Sequence, residues 1–109
     1  PDLAVSCADP AEDAGALVDP VLLVEVLSPG NQAETWINVW TYTLLPSVQE
    51  ILVLRTKSIC ADLLRRGPDV AWPDAPERVT DGDLVLGSIG FRIPLADLYR
   101  TTGLRRIAG

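Results

Sequence analysis

Apolar and polar positions follow two different rhythms along this chain. Residues 3–7, Leu-Ala-Val-Ser-Cys, read as a β-strand, and residues 8–19, rich in Asp, Pro, Gly and Ala, as an acidic surface loop. Residues 21–27 are apolar at nearly every position, the pattern of a strand covered on both faces at the centre of a sheet. Ser28-Pro29-Gly30-Asn31 ends that run. From Gln32 to about Leu45 the spacing turns helical, with Ala33, Trp36, Ile37, Trp40 and Leu44 on one broad face, and Pro46 closes the helix.

Beyond Pro46 the short period returns. Residues 50–55 and 58–65 are predicted strands of a β-hairpin joined at Thr56-Lys57, and residues 67–76, containing Pro68, Trp72 and Pro73, form a loop. Residues 80–83 are a turn, and residues 84–86 and 91–93 are short strands separated by Gly87 and Gly90. Pro94 then opens a short helix over residues 95–99. The expectation is one α/β domain: a mixed β-sheet, a helix crossover between a buried strand and a hairpin, and a short C-terminal helix.

Composition supports a folded chain, since 109 residues with 48% apolar content and a formal charge of -6 can bury a modest core. The longest apolar stretch is interrupted by Glu25 and falls far short of the ~20 residues that span a bilayer. No basic, then apolar, then small-residue leader opens the chain, so a cytoplasmic protein with reduced Cys7 and Cys60 is expected. The chain begins at Pro1, in a strand, and contains no methionine; a longer protein is therefore expected.

Missing residue types narrow the chemistry. There is no histidine, which removes a Ser-His-Asp triad and, with two cysteines far apart, argues against a Cys/His zinc site. Lys57 is the only lysine and follows no glycine-rich phosphate loop. Metal-assisted reactions that use Asp and Glu are the main enzymatic class left open.

Glu25 is the most informative position. Burying an isolated carboxylate within residues 21–27 costs several kcal/mol, on the order of the penalties known for buried ions. A buried arginine, a hydrogen-bond network, protonation or a divalent ion shared with a second carboxylate would each compensate; a glutamate at a strand end, facing solvent or an arginine, is the plainer possibility. Asp2 supplies a second carboxylate on a neighbouring strand, although an aspartate at a strand start is ordinarily a surface residue. Trp36 and Trp40 suit core or interface packing better than base stacking, and an exposed pair would indicate a subunit interface. Arg65-Arg66 and Arg105-Arg106 are read as solvated pairs, and the acidic loop would repel a nucleic-acid duplex.

The order of several segments resembles the Uma-two family of restriction-endonuclease-like proteins. The landmarks are Pro1-Asp2-Leu3, Val24-Glu25-Val26-Leu27-Ser28-Pro29, Tyr42, Pro46-Ser47-Val48-Gln49-Glu50, Arg65-Arg66 with Trp72, Leu86-Gly87-Ser88-Ile89-Gly90 and Ile93-Pro94-Leu95-Ala96-Asp97-Leu98-Tyr99. The resemblance implies a PD-(D/E)XK nuclease fold and metal-dependent DNA hydrolysis. It implies Asp2 and Glu25 as ligands to Mg²⁺ or Mn²⁺, with the Val26 carbonyl as a third. In the family pattern the catalytic lysine sits on the following helix, in a stretch similar to Glu34-Thr35-Trp36-Ile37-Asn38-Val39-Trp40-Thr41-Tyr42, and here Asn38 occupies its place. Asn38 can orient a water but supplies no charge, and Lys57, in a turn, is not a substitute. Two functions follow as expectations: a nuclease-like enzyme acting on DNA, or an inactive descendant that keeps the fold for dimerisation or partner binding. The resemblance also implies a helix and strands ahead of Pro1, and either a homodimer or such further residues are expected to cover the open sheet edge.

Overall fold

The computed structural model describes residues 1–6, 19–69 and 71–100, and in it the apolar run of the sequence becomes the hub of a mixed sheet. β1 (Leu3–Ser6) runs antiparallel to β2 (Pro20–Leu27). From β2 the chain rises through α1 (Gln32–Tyr42) and returns as β3 (Glu50–Arg55), parallel to β2. A parallel pair needs such a crossover, because a tight turn can only reverse the chain. β4 (Ala61–Arg65) folds back on β3, and β5 (Glu77–Val79) on β4, both antiparallel. The spatial order is β1-β2-β3-β4-β5. This is the mixed α/β arrangement with a helix crossover that the sequence led us to expect, and its short C-terminal helix is present as α2 (Leu95–Leu98).

Successive side chains of a strand point to opposite faces, so β2 feeds two cores. Leu22 and Val24 join Leu52, Ala61 and Leu63 on one face, under a separate hairpin of β6 (Asp83–Leu86) and β7 (Phe91–Pro94) and under Leu95 and Tyr99. Leu23 and Leu27 join Ile51, Val53 and Leu64 on the other, beneath Val39 of α1. A buried acid, Glu50, and a buried phenol, Tyr99, tie these layers together. Glu50 accepts from Arg65 Nε at 2.9 Å and from the Ser88 backbone N–H at 2.7 Å, while Arg65 also donates to the Val85 carbonyl. Tyr99 caps α2 and donates to the carbonyls of Arg55 and Cys60 at 2.7 and 3.0 Å, which fixes the C-terminal helix to the β3–β4 hairpin. Cys60 is buried with a free thiol, as expected.

Several sequence expectations need correction. α1 ends at Tyr42 rather than near Leu45, where Thr41 and Thr43 turn their hydroxyls back onto the carbonyls of Ile37 and Trp40. More consequentially, the predicted apolar stripe is not the face that packs. Thr35 and Val39 are buried, with Trp36 and Tyr42 packed alongside, whereas Ile37, Trp40 and Leu44 are exposed. Arg65 and Arg66 are not a solvated pair: Arg66 donates to the Pro46 and Leu45 carbonyls and lies 5.1 Å from the centre of the Trp72 ring. β5 falls where a loop was giving way to a turn and was not anticipated. Cys7, the acidic loop except Asp19, and Arg105-Arg106 lie outside the described residues. Among the described residues no helix is long and apolar enough to cross a membrane.

Candidate active site

β2 and its pairing with β1 assemble the site. Leu3 lies opposite Val24 in the antiparallel register, and the residues ahead of it, Pro1 and Asp2, run past the Glu25 end of β2. The Asp2 N–H donates to the Val24 carbonyl at 3.0 Å. Its Oδ2 accepts from the Val26 N–H at 2.7 Å. Asp2 is therefore exposed yet held, its carboxylate closing the β2 backbone where strand pairing runs out.

Glu25 is only 7% exposed. No arginine among the described residues pairs with it. Its Oε1 accepts from the Tyr42 hydroxyl at 2.7 Å, and the Pro1 terminal nitrogen makes an ion pair with the same oxygen at 3.6 Å. Tyr42 sits in the last turn of α1, and long helical side chains lean back toward the N-terminal end, which carries the phenol to the acid. Burial pushes the Tyr42 hydroxyl up from 10.0 to about 12, helped by the hydrogen bond to Glu25 and by the charges of Glu25 and then Asp2. One phenol thus senses both carboxylates, and it remains a donor throughout the neutral range.

Asn38 lies four residues before Tyr42, one turn along the same flank of the helix, and is half-buried. Its side-chain amide makes no hydrogen bond with the described residues. The structure thus gathers Asp2, Glu25 and Tyr42, with Asn38 one turn away. Val26 takes part through its backbone N–H. Lys57 is exposed, in the connection between β3 and β4.

Magnitudes decide what this cluster lacks. Desolvating a carboxylate costs several kcal/mol, while a hydrogen bond to a charged group returns roughly 1.5–3 kcal/mol. One phenol and one terminal nitrogen at 3.6 Å serve Glu25, and no guanidinium among the described residues does. The oxygens of Glu25 and Asp2 not engaged by Tyr42 and Val26 are hard donors suited to Mg²⁺ or Mn²⁺, which bind through one or two carboxylates and otherwise keep water. The residues fit such an ion. No group of three or more acidic, histidine or cysteine side chains forms a fuller cage among the described residues.

Asp62, which no local pattern singles out, is the contrasting case. It is 1% exposed, and both oxygens are taken: Oδ2 by Arg55, at 3.0 Å from Nε and 2.8 Å from a terminal nitrogen, and Oδ1 by Arg78 Nε at 3.2 Å. The register runs Glu25–Val53–Asp62–Arg78 across the sheet. Asp62 therefore sits two strands from Glu25, roughly 10 Å away. Two guanidinium groups serve one acid there, while no guanidinium serves Glu25.

Tyr42 was visible in the sequence only as a landmark of the resemblance. Its contact with Glu25 links residues 17 apart in sequence, and no local spacing reveals that. Comparison with known families matches residues 1–96 to the model of the Uma2 family, described as "Putative restriction endonuclease". Among curated proteins no match is found.

Proposed function

The chain belongs to the Uma2 family of restriction-endonuclease-like proteins, and on that premise we propose that it is a metal-dependent nuclease domain acting on the phosphodiester bonds of DNA. One observation carries this reading: Glu25, buried in β2 with no arginine partner among the described residues, has Asp2 anchored on the N–H of the next residue, Val26. Asp62 shows how this fold neutralises a buried acid when only structure is at stake.

In this reading Asp2, Glu25 and the Val26 carbonyl hold Mg²⁺ or Mn²⁺. Such an ion, when bound, lowers the pKa of water and offsets charge on phosphate oxygens. The protein's own residues do the rest. Tyr42 orients Glu25 and, being protonated, cannot compete for the ion as a phenolate. The Val26 N–H fixes Asp2, leaving its other oxygen for the ion. Asn38 positions a water but brings no positive charge. Losing a preorganised cation near a developing phosphorane costs on the order of a hundredfold in rate, by analogy with single electrostatic donors. Arg55 and Arg78 are the cations nearest along this sheet face, and they suit contacts with flanking phosphates. The single-domain organisation of residues 1–109, within a longer protein, is part of the same proposal.

A second reading, an inactive nuclease fold retained for binding, draws on one observation: Asn38 in place of the lysine. Plasmid nicking with Mn²⁺ separates the two. Slow nicking by the full-length protein, lost in Asp2→Ala and raised by Asn38→Lys, is the result expected of the enzyme. No cleavage by any of the three, with Asn38→Lys correctly folded, would leave only the binding module.

A further inference from the structure

α1 has two faces, and the one turned away from the sheet is the more apolar. Ile37 is 67% exposed and Trp40 39%, and Leu44 and Leu45, in the turn just beyond the helix, are 79% and 42% exposed. Ala33 is exposed on the same line. Positions 33, 37, 40 and 44 are spaced four, three and four apart, which keeps their side chains on a single seam. Together they present on the order of 400 Å² of apolar surface, a size at which a patch on a monomer is often a contact site.

We infer that this seam is the docking surface for a second copy of the same chain, with the two α1 helices packed antiparallel across a twofold axis. The seam is self-complementary. In an antiparallel pair centred between Ile37 and Trp40, Ala33 faces the partner's Leu44 and Ile37 faces the partner's Trp40, so a small residue meets a large one at each end. Charge agrees with that direction. Glu34 is exposed in the first turn of α1, and at the other end the Arg66 guanidinium is fixed on the carbonyls of Pro46 and Leu45 at 2.8 and 3.2 Å. Antiparallel packing brings Glu34 toward the partner's Arg66, whereas parallel packing would set Glu34 beside the partner's Glu34. Area sets the strength. The apolar seam is about half of the ~800 Å² per partner of a standard interface, and its polar rim supplies part of the remainder. A weak, concentration-dependent dimer follows, and it does not depend on the nuclease reading.

Sedimentation of the full-length protein over a wide concentration range tests this, together with Leu44→Glu and Ile37→Lys, which alter exposed side chains and should leave the thermal melt unchanged. The expected result is a reversible dimer in the parent and a dissociation constant raised about tenfold or more in each variant. In a Cys7→Ser background, the double variant Ala33→Cys/Leu44→Cys should yield an oxidised covalent dimer, and Leu44→Cys alone should not. A monomer at every concentration, as when another segment of the protein covers the seam, would overturn the inference. So would a dimer indifferent to both charged variants, or efficient crosslinking through Leu44→Cys alone.

Discussion

The hydroxyl of Tyr42 donates to Oε1 of Glu25 over 2.7 Å, joining the end of α1 to the one acid inside β2. This contact orients the helix about its axis. It places Val39 and Tyr42 against the sheet and leaves Ile37 and Leu44 outside.

Tyr42→Phe keeps the ring and removes the donor. Affinity for Mn²⁺ should fall about tenfold, the lower range seen when a group that orients a metal ligand is lost. Stability should fall by roughly 1–2 kcal/mol, since Glu25 loses a charge-assisted hydrogen bond. Calorimetric titration and urea unfolding measure the two separately. An unchanged ion affinity alongside reduced stability would confine Tyr42 to a structural role.

The two tyrosines of the chain, Tyr42 and Tyr99, should both resist ionisation. Tyr42 is lifted from 10.0 to about 12, and burial pushes Tyr99 up as well. A raised folded pKa means that the Tyr42 contribution to stability is complete below about pH 10 and lost as pH climbs through about 12. Tyrosinate absorbance should therefore be small in the native protein near pH 10.5 and near maximal once urea unfolds it, the unfolded phenols titrating near ~10.

Glu50 governs acid sensitivity. Burial alone would raise its pKa, but hydrogen bonds from Ser88 and Arg65 and the Arg65 charge outweigh that and hold it below 4.5. Its contribution is then present above pH 4.5 and disappears as pH falls below that value through the depressed folded pKa. Glu50→Gln should lower stability at neutral pH and flatten the acid limb of a stability–pH curve. A variant with an acid limb as steep as the parent's would count against this assignment.

Asp62→Ala should cost about 1–3 kcal/mol, because it leaves the part-buried Arg55 without the acid that accepts from two of its nitrogens and Arg78 without its partner. The Arg78 side chain is 61% exposed, so Arg78→Ala should cost less than about 1 kcal/mol, solvent and Arg55 continuing to serve Asp62. Comparable losses in chemical denaturation would contradict the picture of one buried acid gripped chiefly by Arg55.

Legibility differed from residue to residue. The run at 21–27 was readable because a strand buried on both faces has no polar alternation, and Glu25 stood out against it for the same reason. Asp62 did not, since in the sequence it precedes Leu63 and Leu64 as any strand aspartate might, and both arginines that neutralise it come from other strands. Arg66 was read as solvated because an arginine pair carries no local mark of the carbonyls of Leu45 and Pro46, 21 and 20 residues away.

The amino-acid order by itself determined the central strand, the crossover helix, the hairpin, the closing helix and the two acids, for these depend on short-range hydrophobic spacing, on chain breakers and on residue identity. Tertiary structure decided which flank of α1 meets the sheet, what holds Glu25, and which arginines close on Asp62. Periodicity records where apolar side chains recur along a helix, but the burial of that stripe depends on what the opposing surface presents. Here the sheet presents an acid that needs a donor, and the flank that carries Tyr42 packs inward while the more apolar one faces out.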